Sequence, residues 1–197
     1  MGLWLRQIPN FISSLRMLLA VPIALALAHH QLILTLWLFG AAAVSDALDG
    51  FLAKQFGWQT LLGGILDPLA DKLMLATVFV VLTCLGSVPV WLTAAVIARD
   101  CIIVLGAISY RIVFGSLTAR PSLVSKLNTV CQIIFVLVVI GAQQFNWPPV
   151  WALVLGALVF CTVAVSGIDY VWVYGRDAVA RARAHRSAFR GGGSKPA

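Results

Sequence analysis

Glutamate is absent from this chain of 197 residues, and seven aspartates are its entire acidic inventory. Charged residues of both signs amount to 11%, well under the roughly 25% of soluble domains, which excludes a globule wrapped in a solvated ionic surface. Cysteine is scarce as well. Cys84, Cys101, Cys131 and Cys161 stand singly within apolar runs, without the paired spacing of metal or redox sites, and they read as small core residues.

Apolar sequence fills the space that charge leaves. The chain is 61% hydrophobic with a mean hydropathy of +0.97, and Pro, Gly and polar clusters divide it into six apolar segments. They cover 8–28, 32–52, 61–85, 88–112, 122–142 and 149–173, each near the roughly 20 residues that cross a bilayer. This leaves no room for a soluble domain. The expected fold is an all-α integral membrane protein of six transmembrane helices: one membrane domain over 1–175 and a basic tail over 176–197.

Basic residues set the expected orientation, because Lys and Arg near span ends stay in the cytoplasm. Arg6, Lys54, Arg120 and the cluster Arg176, Arg181, Arg183, Arg186 and Arg190 all fall on one side, whereas "HHQ", "GSVP" and "QQFNWPP" carry no Lys, Arg, Asp or Glu. Both termini are therefore expected in the cytoplasm. The tail serves as an anchor beside anionic headgroups, which attract about 1 kcal/mol per basic residue. That accounts for the net charge of +7 without nucleic acid as a partner. Arg6, Arg16 and the run Ala24 to Ala28 share features with a secretory signal peptide, but the apolar stretch is long for one and is interrupted by Arg16 and Pro22, so an uncleaved first span is expected. A bacterial inner membrane suits a chain without a long presequence.

Four of the seven aspartates fall within "SDALDGFLAKQFGWQTLLGGILDPLADK". Asp46 and Asp49 are three apart, with Gly50 and Ala53 continuing the stripe; Gly63, Asp67 and Asp71 recur every four, so each set lies on one helical face. An ionised Asp inside a bilayer costs several kcal/mol and faces protein or a water-filled cavity. Set against Lys54 and Lys72, the four leave two uncompensated negative charges, which one divalent cation would balance. Oxygen ligands without neighbouring His or Cys suit Mg²⁺, Mn²⁺ or Ca²⁺, and two such ions about 3.5–4 Å apart form the clamp of phosphoryl chemistry. Gly50, Gly63 and Gly64 let a ligand approach the backbone, or let helices pack closely.

The spacing Asp46, Asp49, Gly50, Ala53, Lys54, Gly63, Asp67, Asp71 resembles the signature D-x2-D-G-x2-A-R-x8-G-x3-D-x3-D of the CDP-alcohol phosphatidyltransferase family. Lys54 replaces the usual Arg, keeping the charge but losing the planar fork for phosphate. The resemblance implies a Mg²⁺- or Mn²⁺-dependent membrane enzyme, homodimeric in this family, that moves a phosphatidyl group from CDP-diacylglycerol to an alcohol and releases CMP. It implies Asp46, Asp49, Asp67 and Asp71 as the metal site, Asp71 also as general base, and Asp46, Gly50, Ala53, Lys54, Gly63 and Asp67 around the CDP group.

"PNFISSLR" and "LDPLADK" are similar to the branch holding cardiolipin synthases and phosphatidylglycerophosphate synthases, and "ARDCII" with "PSLVSKLNTVCQ" is closer to the former. Asn128 stands where the latter carry a second basic residue, which suits a singly charged acceptor, phosphatidylglycerol, over glycerol 3-phosphate. Arg99, Lys126 and Asn128 are the acceptor-side candidates. An Arg in mid-span is costly unless paired or functional, and pairing of Arg99 with Asp100 is the structural alternative. Intramembrane aspartates also line cation pathways. Here they gather toward one side only, which disfavours a transporter, and a non-catalytic scaffold has no use for Gly-bordered carboxylates.

Overall fold

Leu, Ala and Val are frequent in the apolar segments, and Leu and Ala favour continuous helix. The protein, as a computed structural model, is described over residues 8–56, 63–114 and 123–191, with side chains described at 17–45, 70–106, 124–169 and Trp172. Six helices and no strand occur among the described residues: α1 (Ile8–Ala28), α2 (Leu32–Phe56), α3 (Gly63–Cys84), α4 (Val90–Phe114), α5 (Leu123–Phe145) and α6 (Val150–Gly191). Each begins within two residues of its expected segment. The ends differ more. α6 runs through Gly175 to Gly191, because an isolated Gly costs only about 1 kcal/mol against Ala, and the Ala/Arg-rich sequence beyond it favours helix. Among the described residues, Val124–Phe145 and Val150–Asp169 are long and apolar enough to cross a membrane.

Three tight turns close the uncharged end of the bundle by one device. After α1, the Gln31 amide bonds the Ala26 carbonyl at 2.8 Å, and His30 adopts φ 55. After α3, the Ser87 amide bonds Leu82 at 2.9 Å with Gly86 at φ 73. After α5, the Trp147 amide bonds Ala142 at 3.2 Å with Asn146 at φ 51. A left-handed residue followed by an amide that reaches back five residues is the Schellman ending, which satisfies carbonyls otherwise orphaned at a helix terminus. Pro89, Pro148 and Pro149 then lead into α4 and α6, since Pro is tolerated where no intrahelical amide is needed.

α1 packs against α2 and α3, α5 against α2, α3 and α6, and α4 against α3 and α6. Ile23 and Leu27 of α1, Phe39 of α2, Val78, Phe79 and Leu82 of α3, Leu92 and Val96 of α4, Val136 and Ile140 of α5 and Val159 of α6 form the buried core. Phe79 and Phe135 stack with ring centroids 5.7 Å apart, and the hydroxyls of Thr83 and Thr93 share a hydrogen bond of 2.6 Å between α3 and α4. Large apolar side chains are more frequent outside than in the core among the described residues: Leu18, Trp37, Val90, Leu153 and Ile168 are all about two-thirds or more exposed.

α6 approaches its neighbours at Gly156. A Cβ there would lie 3.4 Å from Phe135 Cε2 and 3.7 Å from Leu92 Cδ2, so a branched side chain has no room without displacing α6. Gly156→Leu is expected to destabilise the bundle by about 1–3 kcal/mol, the usual cost of overpacking, read as a lowered thermal midpoint in detergent.

Candidate active site

The acid-bearing positions continue the inward stripes of their helices. On α2 the buried residues Thr35, Phe39 and Ala42 step by four and three, and the same steps lead to positions 46, 49 and 53. On α3 the buried residues Met74, Val78 and Leu82 extend back through 71 and 67 to 63. Asp71 is half-buried. The side chains of Asp46, Asp49, Ala53, Lys54 and Asp67 lie outside the described ones, as does that of Arg16; their helical positions, like those of Gly50 and Gly63, are as given. Because α1 and α5 each pack on both α2 and α3, the two stripes border the same interior. Among the described residues no group of three His, Cys, Asp or Glu could hold a metal; of the four clustered aspartates only Asp71 is included there.

Beside Asp71 the structure places an ionic network that sequence left open. Lys72 Nζ donates to Asp100 Oδ1 at 2.7 Å, and Arg99 Nη1 donates to the same oxygen at 2.6 Å. Arg99 Nη2 donates to Ser125 Oγ at 2.9 Å and also to Ser166 Oγ. Arg99 follows the stripe of Leu92 and Val96 and is only 4% exposed. One guanidinium and one carboxylate thereby tie α3, α4, α5 and α6 together, with charge-assisted bonds that are strong where water is scarce. Lys72, which the sequence sets against the aspartates of its own segment, is paired with Asp100.

The network continues along α5. Asn128 and Gln132, four apart and at most 1% exposed, extend the stripe of Ser125, and Thr162 of α6 donates to Asn128 Oδ1 at 2.9 Å. Arg99 Nε, Asn128 Nδ2 and Gln132 Nε2 are buried donors without a protein partner. Buried donors are costly unless satisfied, so these suit an oxygen-rich occupant such as water or an alcohol. Arg99 and Asn128, expected together from sequence, do share this interior. Lys126 does not: two positions before Asn128, it lies on the far side of α5 and is exposed. Ser125, Ser166, Thr162 and Gln132 were not singled out by the sequence, and a lone hydroxyl in "TVAVSG" gives no signal of its own.

Lys72, Arg99, Asp100, Ser125 and Ser166 occupy one level of the bundle, joined by direct hydrogen bonds. A separate apolar groove of about 620 Å³, lined by Ile33, Trp37, Gly40, Val44 and Phe145 among others, runs along the face of α2 opposite the register of 46 and 49, so it has no part in this level.

The described residues thus form an all-helical bundle with large apolar side chains outside and a polar cluster inside. The sequence model of the family "CDP-alcohol phosphatidyltransferase" matches residues 6–166, and the chain belongs to this family. It is 31% identical over 189 residues to a Homo sapiens protein named cardiolipin synthase (CMP-forming), covering 87% of this chain and 62% of that one. It is 30% identical over 176 residues to a Mycobacterium tuberculosis protein named probable phosphatidylglycerophosphate synthase, covering 84% and 80%. A chloroplastic CDP-diacylglycerol–glycerol-3-phosphate 3-phosphatidyltransferase of Oryza sativa is 28% identical over 183 residues, covering 83% and 56%.

The Arg99 network should carry more stability than the Asn128 contact. Arg99→Leu removes the guanidinium bonds to Asp100, Ser125 and Ser166 at once, whereas after Asn128→Leu the Thr162 hydroxyl retains its 2.9 Å bond to the Val159 carbonyl. Thermal unfolding in detergent is expected to show Arg99→Leu the more damaged, by about 1–3 kcal/mol.

Proposed function

We propose that this chain is a six-span integral membrane enzyme, with both termini and the polar level toward the cytoplasm of a bacterial inner membrane, that transfers a phosphatidyl group from CDP-diacylglycerol to an alcohol and releases CMP. The observation that carries the reading is the register of positions 46, 49, 67 and 71 with the buried stripes of α2 and α3. Family membership and the span-sized helices support it. The apolar outer surface suits lipid, where irregular backbone is avoided and helices satisfy their own hydrogen bonds.

The donor set fits a divalent cation: four carboxylates, no competing soft ligand in the segment, and a neighbouring ammonium already committed to Asp100. Asp46, Asp49, Asp67 and Asp71 would hold it, and when bound it supplies charge neutralisation at the pyrophosphate. Gly50, Ala53 and Gly63 keep that flank low for the CDP group, and Lys54 contributes a positive charge. Asp71 takes the proton of the acceptor hydroxyl as its oxygen bonds to the lipid-side phosphorus; the phosphorus–oxygen bond to CMP breaks, and CMP departs with the electron pair.

The acceptor is phosphatidylglycerol, making the product cardiolipin. Arg99 supplies positive charge near the acceptor, and Asn128 and the Gln132 amide, whose nitrogens have no protein partner, suit its hydroxyl groups. Glycerol 3-phosphate is the second reading, because relatives of similar identity are named for either activity. The working unit is a homodimer.

Purified protein given labelled CDP-diacylglycerol and Mn²⁺ is expected to release CMP and form cardiolipin from phosphatidylglycerol. Phosphatidylglycerophosphate as the only product, from glycerol 3-phosphate, would replace the acceptor assignment, and no CMP release with either acceptor would end the enzyme reading. Asp71→Asn is expected to cut turnover by at least about 100-fold, the scale of general-base loss, while retaining Mn²⁺. Unchanged turnover would remove the base role.

A further inference from the structure

We infer that Asp100 is a positioning residue whose task is to hold the Lys72 ammonium away from the metal-binding carboxylates. The inference rests on the metal reading above. Lys72 follows Asp71 directly, on a helix whose acidic stripe begins only about 100° around the axis. In a low-dielectric interior that cation would be drawn to the cluster and would compete with the metal for the same oxygens. Asp100 prevents this from α4, taking Lys72 Nζ at 2.7 Å and so fixing the side chain toward α4.

The geometry shows why Asp100, rather than Arg99, is the controlling group. Both cations share the single oxygen Oδ1, but only Arg99 has other anchors, the hydroxyls of Ser125 and Ser166. Neutralising Asp100 therefore leaves Arg99 seated and releases Lys72. The Lys72 side chain is 25% exposed, so the released ammonium keeps some contact outside the bundle, and the carboxylates of its own segment are the opposite charges nearest to it in sequence. The triad of Lys72, Asp100 and Arg99 also keeps a net positive charge beside the acidic cluster, where the anionic substrates meet.

The experiment measures Mn²⁺ binding to the purified protein in detergent by the electron paramagnetic resonance signal of free Mn²⁺, alongside the Mn²⁺ dependence of CMP release. Asp100→Asn is expected to weaken Mn²⁺ binding on the order of tenfold, the scale for one unit charge relocated near the site. The double variant Asp100→Asn with Lys72→Met is expected to return it to within about threefold of the wild type, since the competing cation is gone. Removing both partners of an ion pair can also restore stability, so thermal midpoints are measured on the same variants, and Mn²⁺ affinity that only follows the midpoint down and back overturns the inference. Wild-type Mn²⁺ affinity in Asp100→Asn, or a double variant as weak as the single one, overturns the inference while leaving the metal reading intact. No Mn²⁺ binding by the wild-type protein would instead overturn the metal reading and this inference with it.

Discussion

A charge placed among apolar helices must find its counter-charge within a few ångströms, because there is little water to screen it. That constraint organises this protein. Asp100 accepts both Lys72 and Arg99 on one oxygen, and Arg99 passes the connection to Ser125 and Ser166. Four helices are thereby referenced to one carboxylate at the level where the acidic positions of α2 and α3 meet the interior. Apolar packing alone would fix this level poorly, since association of helices in lipid lacks a hydrophobic driving force and relies on close contact and hydrogen bonds.

The two ends of the bundle are built for different ends. At the uncharged end, three short turns close with left-handed residues, Thr83 and Thr93 share a hydroxyl bond, and the stacked Phe79 and Phe135 lie between α3 and α5. At the polar level the same helices exchange apolar stripes for Asp71, Arg99, Asn128 and Gln132 along unbroken registers. These polar groups are therefore carried by regular helices rather than by loops, which holds them in a fixed arrangement. The buried donors left without a protein partner belong to this level, and their chemistry suits an oxygen-rich partner such as water.

Much of this was legible in the sequence, for reasons that can be named. Helix starts follow from segment length and from Pro and Gly punctuation, and Gly86 and Asn146 are ordinary residues for a left-handed turn. His30, which closes the first turn in the same way, carries no such signal. The acidic stripes are visible because three- and four-residue spacings map directly onto one helical face. The extent of α6 was not, since Gly175 reads as a boundary and the chain continues in helix past it. Lys126 and Asn128 read as neighbours, although two residues on a helix point to opposite sides.

By itself the sequence determined the six helices, the three- and four-residue spacing of 46, 49, 67 and 71, and the family, because those depend on local periodicity and fixed spacing. Only the tertiary structure decided that Lys72 answers to Asp100, that Arg99 is seated on Ser125 and Ser166, and that Asn128 and Gln132 share their interior. The partners in those contacts stand 26 to 67 residues apart. Pairing of charges at that separation is set by which helix lies beside which, and no local pattern records it.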